Sequence, residues 1–335
     1  MFQRRAFLGA VGAVALAGAF GYSGAAGAAD MPHGEGSNPL KIVVPYPPGG
    51  PLDVSARVIA QAAESELGNV IVENRPGAGG GVGMGYVKRQ PGDGRTLVVG
   101  AVATHAINPH LYKKLPYDAK KDFKPVTLIA HVPNVLVITP EFSKKTGIKS
   151  VADLIAYAKA NPGKLNFASG GNGSAGHMAG AWLMNSKDLK MVHVPFAGAA
   201  AGRLSVLSGQ TDFIFDNLAS CTGNIESGKM IPLAVTTKTR AASLPNVPTM
   251  EEAGVADFDI STWYGLFVPS ATPDDVVAYL NKVLTGVLRS KPVEERLAKL
   301  GGVASPDTPA EFAALIDADS KKYERLVKLS GARVD

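Results

Sequence analysis

KIVVPYPPGGPLD, residues 41–53, is the stretch that decides the fold. Its residues 42–44 are a β-branched apolar run of the kind found in covered parallel strands. The prolines that follow end the strand because proline has no N–H to donate. Gly49 and Gly50 permit a positive φ and a close approach of the backbone to a ligand. Asp53 is predicted to cap a helix that begins there.

This strand, glycine turn and helix start together form a candidate anion site. The N–H groups at a helix N-terminus lack backbone partners, and the helix dipole places partial positive charge there. An ordinary turn between a strand and a helix is the alternative interpretation.

Composition and charge limit the classes of function. The chain has 335 residues, of which 46% are hydrophobic and 19% charged, as expected for about two globular domains. Its formal net charge is +5. The basic residues are not gathered into a stripe, so no nucleic-acid partner is expected. Cys221 is the only cysteine, which excludes an internal disulfide.

Residues 1–29 have the pattern of a signal peptide. Arg4 and Arg5 precede an apolar Ala/Gly/Val/Leu run that ends in small residues. We expect cleavage after Ala28 or Ala29 and export of the protein. The arginine pair resembles a twin-arginine signal, and a Sec signal remains the alternative.

Strand and helix patterns alternate from residue 38 onward, which predicts an α/β protein with a mixed or parallel sheet in each of two units. The second unit is inserted into the first. The predicted boundaries are 30–140 plus 264–335 for the first lobe and 141–263 for the second. Ligands of such sheets bind at the carboxyl ends of strands and between domains.

A second glycine turn lies between a predicted strand and helix at residues 171–176, GNGSAG. It fits the spacing of a dinucleotide fingerprint, but the following strand lacks the acidic residue that such a site uses. The turn is better interpreted as a second anion-accepting site, with Ser169 and Ser174 beside the helix start.

Ser174 also raises the hypothesis of an exported serine hydrolase with His177 as base. A nucleophile elbow requires glycine two residues before the serine, where this chain has Asn172. The histidines show no metal-ligand spacing. The sequence therefore predicts a binding protein that is not an enzyme, with no cofactor and no metal.

Several segments together resemble the Bug-type solute-binding receptors of tripartite tricarboxylate transporters, the TctC-like family. They follow one another through almost all of the chain after the leader: PYPPGGPLD (45–53), VENRPGAGG (72–80), THAINPHLY (104–112), LNFASGGNGSAGH (165–177), HVPFAG (193–198), GQTDFIFDNL (209–218) and LPNVPTMEEAG (244–254).

The resemblance implies a monomeric, periplasmic receptor with a type II-like periplasmic-binding-protein fold. Two crossing hinge segments would join its lobes, which close on a small carboxylate for delivery to membrane transporter subunits. A sensor component that presents its ligand is an alternative. The ligand-binding residues that the resemblance and the two turns indicate are Tyr46, Pro47, Gly49, Gly50, Asp53, Thr104, Ser169, Gly170, Asn172, Gly173, Ser174, Phe196 and Asp216.

Two positions qualify this assignment. Asp216 would face the distal part of the ligand, and its alternative role is a helix cap or solvated turn. The family usually continues after residues 195–198 with a proline-containing stretch, whereas this chain has AAAGR at 199–203. This departure is expected to reshape one wall of the pocket.

Overall fold

The computed structural model describes residues 39–196 and 198–334. The predicted signal peptide lies outside these ranges. Within them, no helix combines the length and apolar character needed to cross a membrane.

The chain alternates strands and helices, as the sequence predicts. The strands are β1 Leu40–Val44, β2 Val70–Asn74, β3 Thr96–Ala101, β4 Phe123–Val132, β5 Asn134–Ile138, β6 Asn166–Ser169, β7 Val192–Pro195, β8 Phe213–Asn217, β9 Ile231–Val235, β10 Thr262–Pro269 and β11 Val303–Ala304. The α-helices are α1 Pro51–Leu67, α2 Gly81–Val87, α3 Asn108–Leu111, α4 Pro140–Thr146, α5 Val151–Ala160, α6 Ala175–Lys187, α7 Ala199–Leu207, α8 Leu218–Glu226, α9 Asp274–Leu288, α10 Lys291–Lys299 and α11 Pro309–Ser330. A 3₁₀ turn, Ala78–Gly80, precedes α2, and a π-helical turn, Ala103–Ile107, precedes α3.

The strands form two mixed sheets. The first lobe is built on a six-stranded sheet of order β11-β4-β10-β3-β1-β2, and the second on a five-stranded sheet of order β7-β6-β8-β5-β9. Strand β1 runs parallel to β2 and β3, and β6 runs parallel to β7 and β8. The carboxyl ends of these parallel strands carry the two glycine turns.

The chain passes between the sheets earlier than the sequence predicts. Strand β5 pairs with β8 and β9 and therefore belongs to the second sheet, so the first crossing lies at Pro133 and not at residue 140. In the sequence, the apolar runs of β4 and β5 follow each other with only Pro133 between them. Their assignment to different sheets depends on pairing with strands that are distant in the chain. The second crossing lies between β9 and β10.

Thr236 ties the two crossings together. Its N–H donates to Asn134 O at 2.9 Å, and its hydroxyl donates to Ile260 O at 2.6 Å. Asn134 directly follows the first crossing at Pro133, and Thr236 and Ile260 lie in the second crossing, so these hydrogen bonds join the two crossing segments.

Helices α5 and α11 begin with side-chain caps. Ser150 caps α5 by accepting from Asp153 N, and Thr308 forms a capping box with Glu311 at the start of α11.

Helix α11 packs against both lobes, against β4 of the first and α6 of the second. Asp319 on this helix accepts from the buried Trp263 indole at 2.6 Å.

Candidate ligand-binding site

The first turn leaves β1 and enters α1 as predicted, but its helix cap differs. Gly50 occupies the N-cap position and Pro51 begins the helix, so the predicted cap at Asp53 is wrong. Gly49 has φ +82°, whereas Gly50 has φ −77°, an ordinary extended value. Proline is favoured at the first helical position because it lacks the N–H that would be unpaired there. The helix therefore begins earlier in the chain than predicted.

Asp53 organises this turn from inside the first helical turn. Its Oδ2 accepts from Gly49 N at 2.8 Å and Arg57 Nε at 3.1 Å, and its Oδ1 accepts from Asn74 Nδ2 at 2.9 Å. Burial, which leaves 3% exposed, opposes ionisation, but the hydrogen bonds from Arg57, Gly49 and Asn74 outweigh it and hold the pKa of Asp53 below its usual value. Asp53 therefore acts as a support for the turn.

The Tyr46 and Thr104 side chains both lie close to Gly80. A β-carbon at Gly80, which has φ +96°, would lie 2.8 Å from Thr104 Cγ2 and 3.4 Å from the Tyr46 hydroxyl. Burial raises the pKa of Tyr46, so its phenol stays protonated and can donate a hydrogen bond. The Thr104 hydroxyl is engaged with Ala101 N and O.

The second turn is held by the two serines that the sequence singled out. Ser169 Oγ accepts from Gly171 N at 3.1 Å and pairs with His193 Nε2 at 2.6 Å. Ser174 caps α6 by accepting from His177 N at 3.2 Å. The backbone N–H groups of Gly170 and Asn172 have no hydrogen-bond partner within 39–196 and 198–334.

His177 and His193 form a stacked pair beneath this turn, with ring centroids 3.8 Å apart and planes 4° apart. Nδ1 of His177 accepts from Gly173 N at 3.2 Å. Burial lowers the pKa of His177 to about 3 and that of His193 to about 4, so both rings are neutral near pH 7. The His177 ring accepts a hydrogen bond from Gly173 N, and the Ser174 hydroxyl accepts one from the backbone N–H of His177. In a Ser–His catalytic dyad the serine hydroxyl is instead hydrogen-bonded to the histidine ring.

Asp216 lies near the end of β8, and both of its carboxylate oxygens accept hydrogen bonds from neighbouring residues. Its Oδ2 accepts from Arg203 Nη1 at 2.6 Å, and its Oδ1 accepts from Asn217 N at 2.7 Å. Burial raises the pKa of Asp216, and the Arg203 charge opposes that rise. Sequence reasoning missed Arg203, although it stands in the AAAGR stretch that departs from the family pattern.

The structure brings the second turn against the first lobe. Gly173 faces Leu111 so closely that a β-carbon there would overlap Cδ2 of Leu111, and it would lie 3.6 Å from Ile107 Cγ2. The half-buried Phe196 follows β7 and donates its N–H to Ser169 O at 3.1 Å. Pro47 and Gly49 are exposed on the first turn.

These features define a class: a two-lobed solute-binding protein with one glycine turn contributed by each lobe. Residues 55–331 match the model of the TctC family, described as the tripartite tricarboxylate transporter family receptor. The chain belongs to this family, which is one of substrate-binding receptors and not of enzymes.

Solved structures agree with this assignment. The chain is 32% identical to R. palustris Rpa4515 with adipate, with a TM-score of 0.79 over 88% of this chain and 98% of that one. It is 31% identical to the periplasmic binding protein BugD, with a TM-score of 0.76 over 88% and 98%. It is also 31% identical to MatC from Rhodopseudomonas palustris with bound malate, with a TM-score of 0.75 over 86% and 98%.

Proposed function

We propose that this protein is a periplasmic receptor that captures a small carboxylate between its lobes and delivers it to a tripartite tricarboxylate-type membrane transporter. The observation that carries the proposal is the meeting of the lobes at the second turn, where Gly173 lies against Leu111. Adipate and malate, the ligands named for two related structures, are both carboxylates. The leader-like residues 1–29 support export.

The chemistry of capture follows from the unpaired donors. Gly170 N and Asn172 N in the second lobe offer N–H groups next to the N-terminus of α6, where the helix dipole favours negative charge. The Tyr46 hydroxyl offers a donor from the first lobe. Contacts from both lobes to one ligand exist only when the lobes are closed, so binding favours closure.

Thermal stability measures this binding directly. The chain without its leader is heated with mono-, di- and tricarboxylates, aromatic acids and amino acids. A ligand that binds only the folded state raises the Tm, and it contributes about 2.7 kcal/mol at 100 times its Kd. We expect a clear Tm increase with at least one carboxylate and none with neutral analogues of the same shape.

Gly50→Val locates the site. A β-carbon at Gly50 would have only Pro47 O nearby, at 3.8 Å, so the variant is expected to fold. Its side chain would still obstruct close approach of a ligand to the first turn and abolish the Tm increase. Gly223→Val, in α8 with nothing near its β-carbon position, is the control and should keep the increase. An equal ligand-induced Tm increase in the two variants would show that the first turn is not part of the binding site.

A further inference from the structure

The Arg203–Asp216 ion pair lies at the same sheet edge as the second turn. Strand β8, in which Asp216 is the penultimate residue, runs parallel to β6, which ends at Ser169 where the turn begins. Gly202 packs directly on that turn's base, since a β-carbon there would lie 3.1 Å from Ser169 O. Arg203 therefore projects from a helix whose first turns are in contact with the candidate site.

The two partners differ in how far their hydrogen-bonding capacity is used. Asp216 is 3% exposed, and each of its oxygens accepts a short hydrogen bond. The Arg203 side chain is 19% exposed. A guanidinium carries five N–H donors, and a single Arg203 hydrogen bond, to Asp216, is found within the described ranges. Both carboxylate oxygens of Asp216 already accept hydrogen bonds, whereas the guanidinium retains donors.

We propose that Arg203 determines specificity at the distal end of the cleft, where its remaining N–H donors bind the second carboxylate of a dicarboxylate ligand. Asp216 then orients the guanidinium, and does not itself contact the ligand. This inference rests on the proposed carboxylate-receptor function and narrows its substrate class.

Charge and hydrogen bonding both favour this assignment. A guanidinium binds a carboxylate through two parallel hydrogen bonds, which are stronger than bonds between neutral groups. A ligand with a terminal ammonium would be repelled by Arg203, and one with a methyl end would leave partly buried donors unpaired. The pairing with Asp216 holds the guanidinium in one orientation.

Isothermal titration of the chain without its leader tests the proposal with ligands of matched length. Each set contains a linear dicarboxylate, the monocarboxylate with a methyl end, and the ω-amino acid, in four- and six-carbon series. For the wild type we expect the dicarboxylate to bind about tenfold or more tightly than the monocarboxylate, and the ω-amino acid most weakly. Arg203→Met should bring the ratio of dicarboxylate to monocarboxylate affinity close to one. Arg203→Lys should retain part of the preference for the dicarboxylate.

Arg203→Met leaves Asp216 buried without its partner, so the double variant Arg203→Met/Asp216→Asn removes both charges and guards against loss of folding. Arg240→Met, which breaks a surface ion pair with Glu252, is the control and should leave the ratio unchanged. A wild-type ratio near one, or an unchanged ratio in the folded double variant, would overturn the role of Arg203 while leaving the carboxylate receptor intact. Failure of the wild type to bind any carboxylate would overturn the receptor function as well.

Discussion

Gly173 of the second lobe lies against Leu111 of the first, with no room between them for a β-carbon. Gly173 also has φ +78° and donates its N–H to His177. One residue thus belongs to the candidate ligand turn, contacts the opposite lobe and rests on the stacked histidines. Any change in its size is transmitted to both the turn and the lobe contact.

Gly173→Ala is expected to weaken ligand binding by about tenfold or more, because its methyl group would push the lobes apart, at a cost of the order of 1–3 kcal/mol for overpacking. Titration with the ligand found in the Tm screen measures this loss. Gly209→Ala is the matched control: Gly209 has φ +73° with nothing within 4 Å of its β-carbon position, so it carries the backbone strain without the overlap. Equal affinity losses in the two variants would argue against the lobe contact.

Asp53→Ala is expected to reduce the free energy of unfolding by about 1–3 kcal/mol, because the hydrogen bonds that Gly49 N and the Asn74 amide donate to the buried Asp53 carboxylate would be lost. Ligand affinity should fall with it, since the first turn loses its support. Denaturant unfolding and titration measure the two effects. Asp317→Ala, which breaks an exposed ion pair with Lys120, should change the stability by less than about 1 kcal/mol. An unchanged ligand affinity in Asp53→Ala would show that the support from Asp53 is not needed for ligand binding.

Ser174→Ala is expected to cost about 1 kcal/mol of stability, because α6 loses its N-cap. Ser150→Ala removes the same kind of cap from α5, away from the second turn, and should cost a similar amount. Only Ser174→Ala should also weaken ligand binding. Neither the wild type nor either variant should hydrolyse generic ester substrates; serine-dependent turnover by the wild type would restore the hydrolase hypothesis.

Stability is expected to fall on acidification because His177 and His193 are held neutral in the fold. Their folded pKa values, about 3 and about 4, lie below the unfolded value near 6.5, so the unfolded chain binds more protons as the pH drops from about 6.5 toward 4. His177 then contributes a loss of up to about 1.4 kcal/mol per pH unit, and the half-buried His193 contributes less because solvent screens it. Neither histidine changes the stability above pH 7.

Urea unfolding of the wild type and of His177→Gln/His193→Gln across pH 7 to 4 measures this contribution. The double variant should show a shallower decline in the free energy of unfolding. Parallel declines in the two proteins would assign the acid sensitivity to other groups.

Local sequence patterns were sufficient for the alternation of strands and helices and for the positions of both glycine turns. Residues 42–44 indicate a covered strand, residues 45–50 end it, and Ser150 and the residues near Thr308 mark helix starts, because these signals act over a few neighbouring residues. The same patterns, taken in order along the chain, were enough to indicate the TctC-like family.

The tertiary structure decided the features that depend on partners far apart in the chain. Strand β5 could be assigned to the second sheet only from its pairing with β8 and β9. Asp53 is held in its supporting role by a hydrogen bond from Asn74 of β2, and Asp216 pairs with Arg203 of α7. The sequence alone thus determined which segments form the elements and turns, whereas the roles of individual polar side chains followed from long-range contacts that no local pattern encodes.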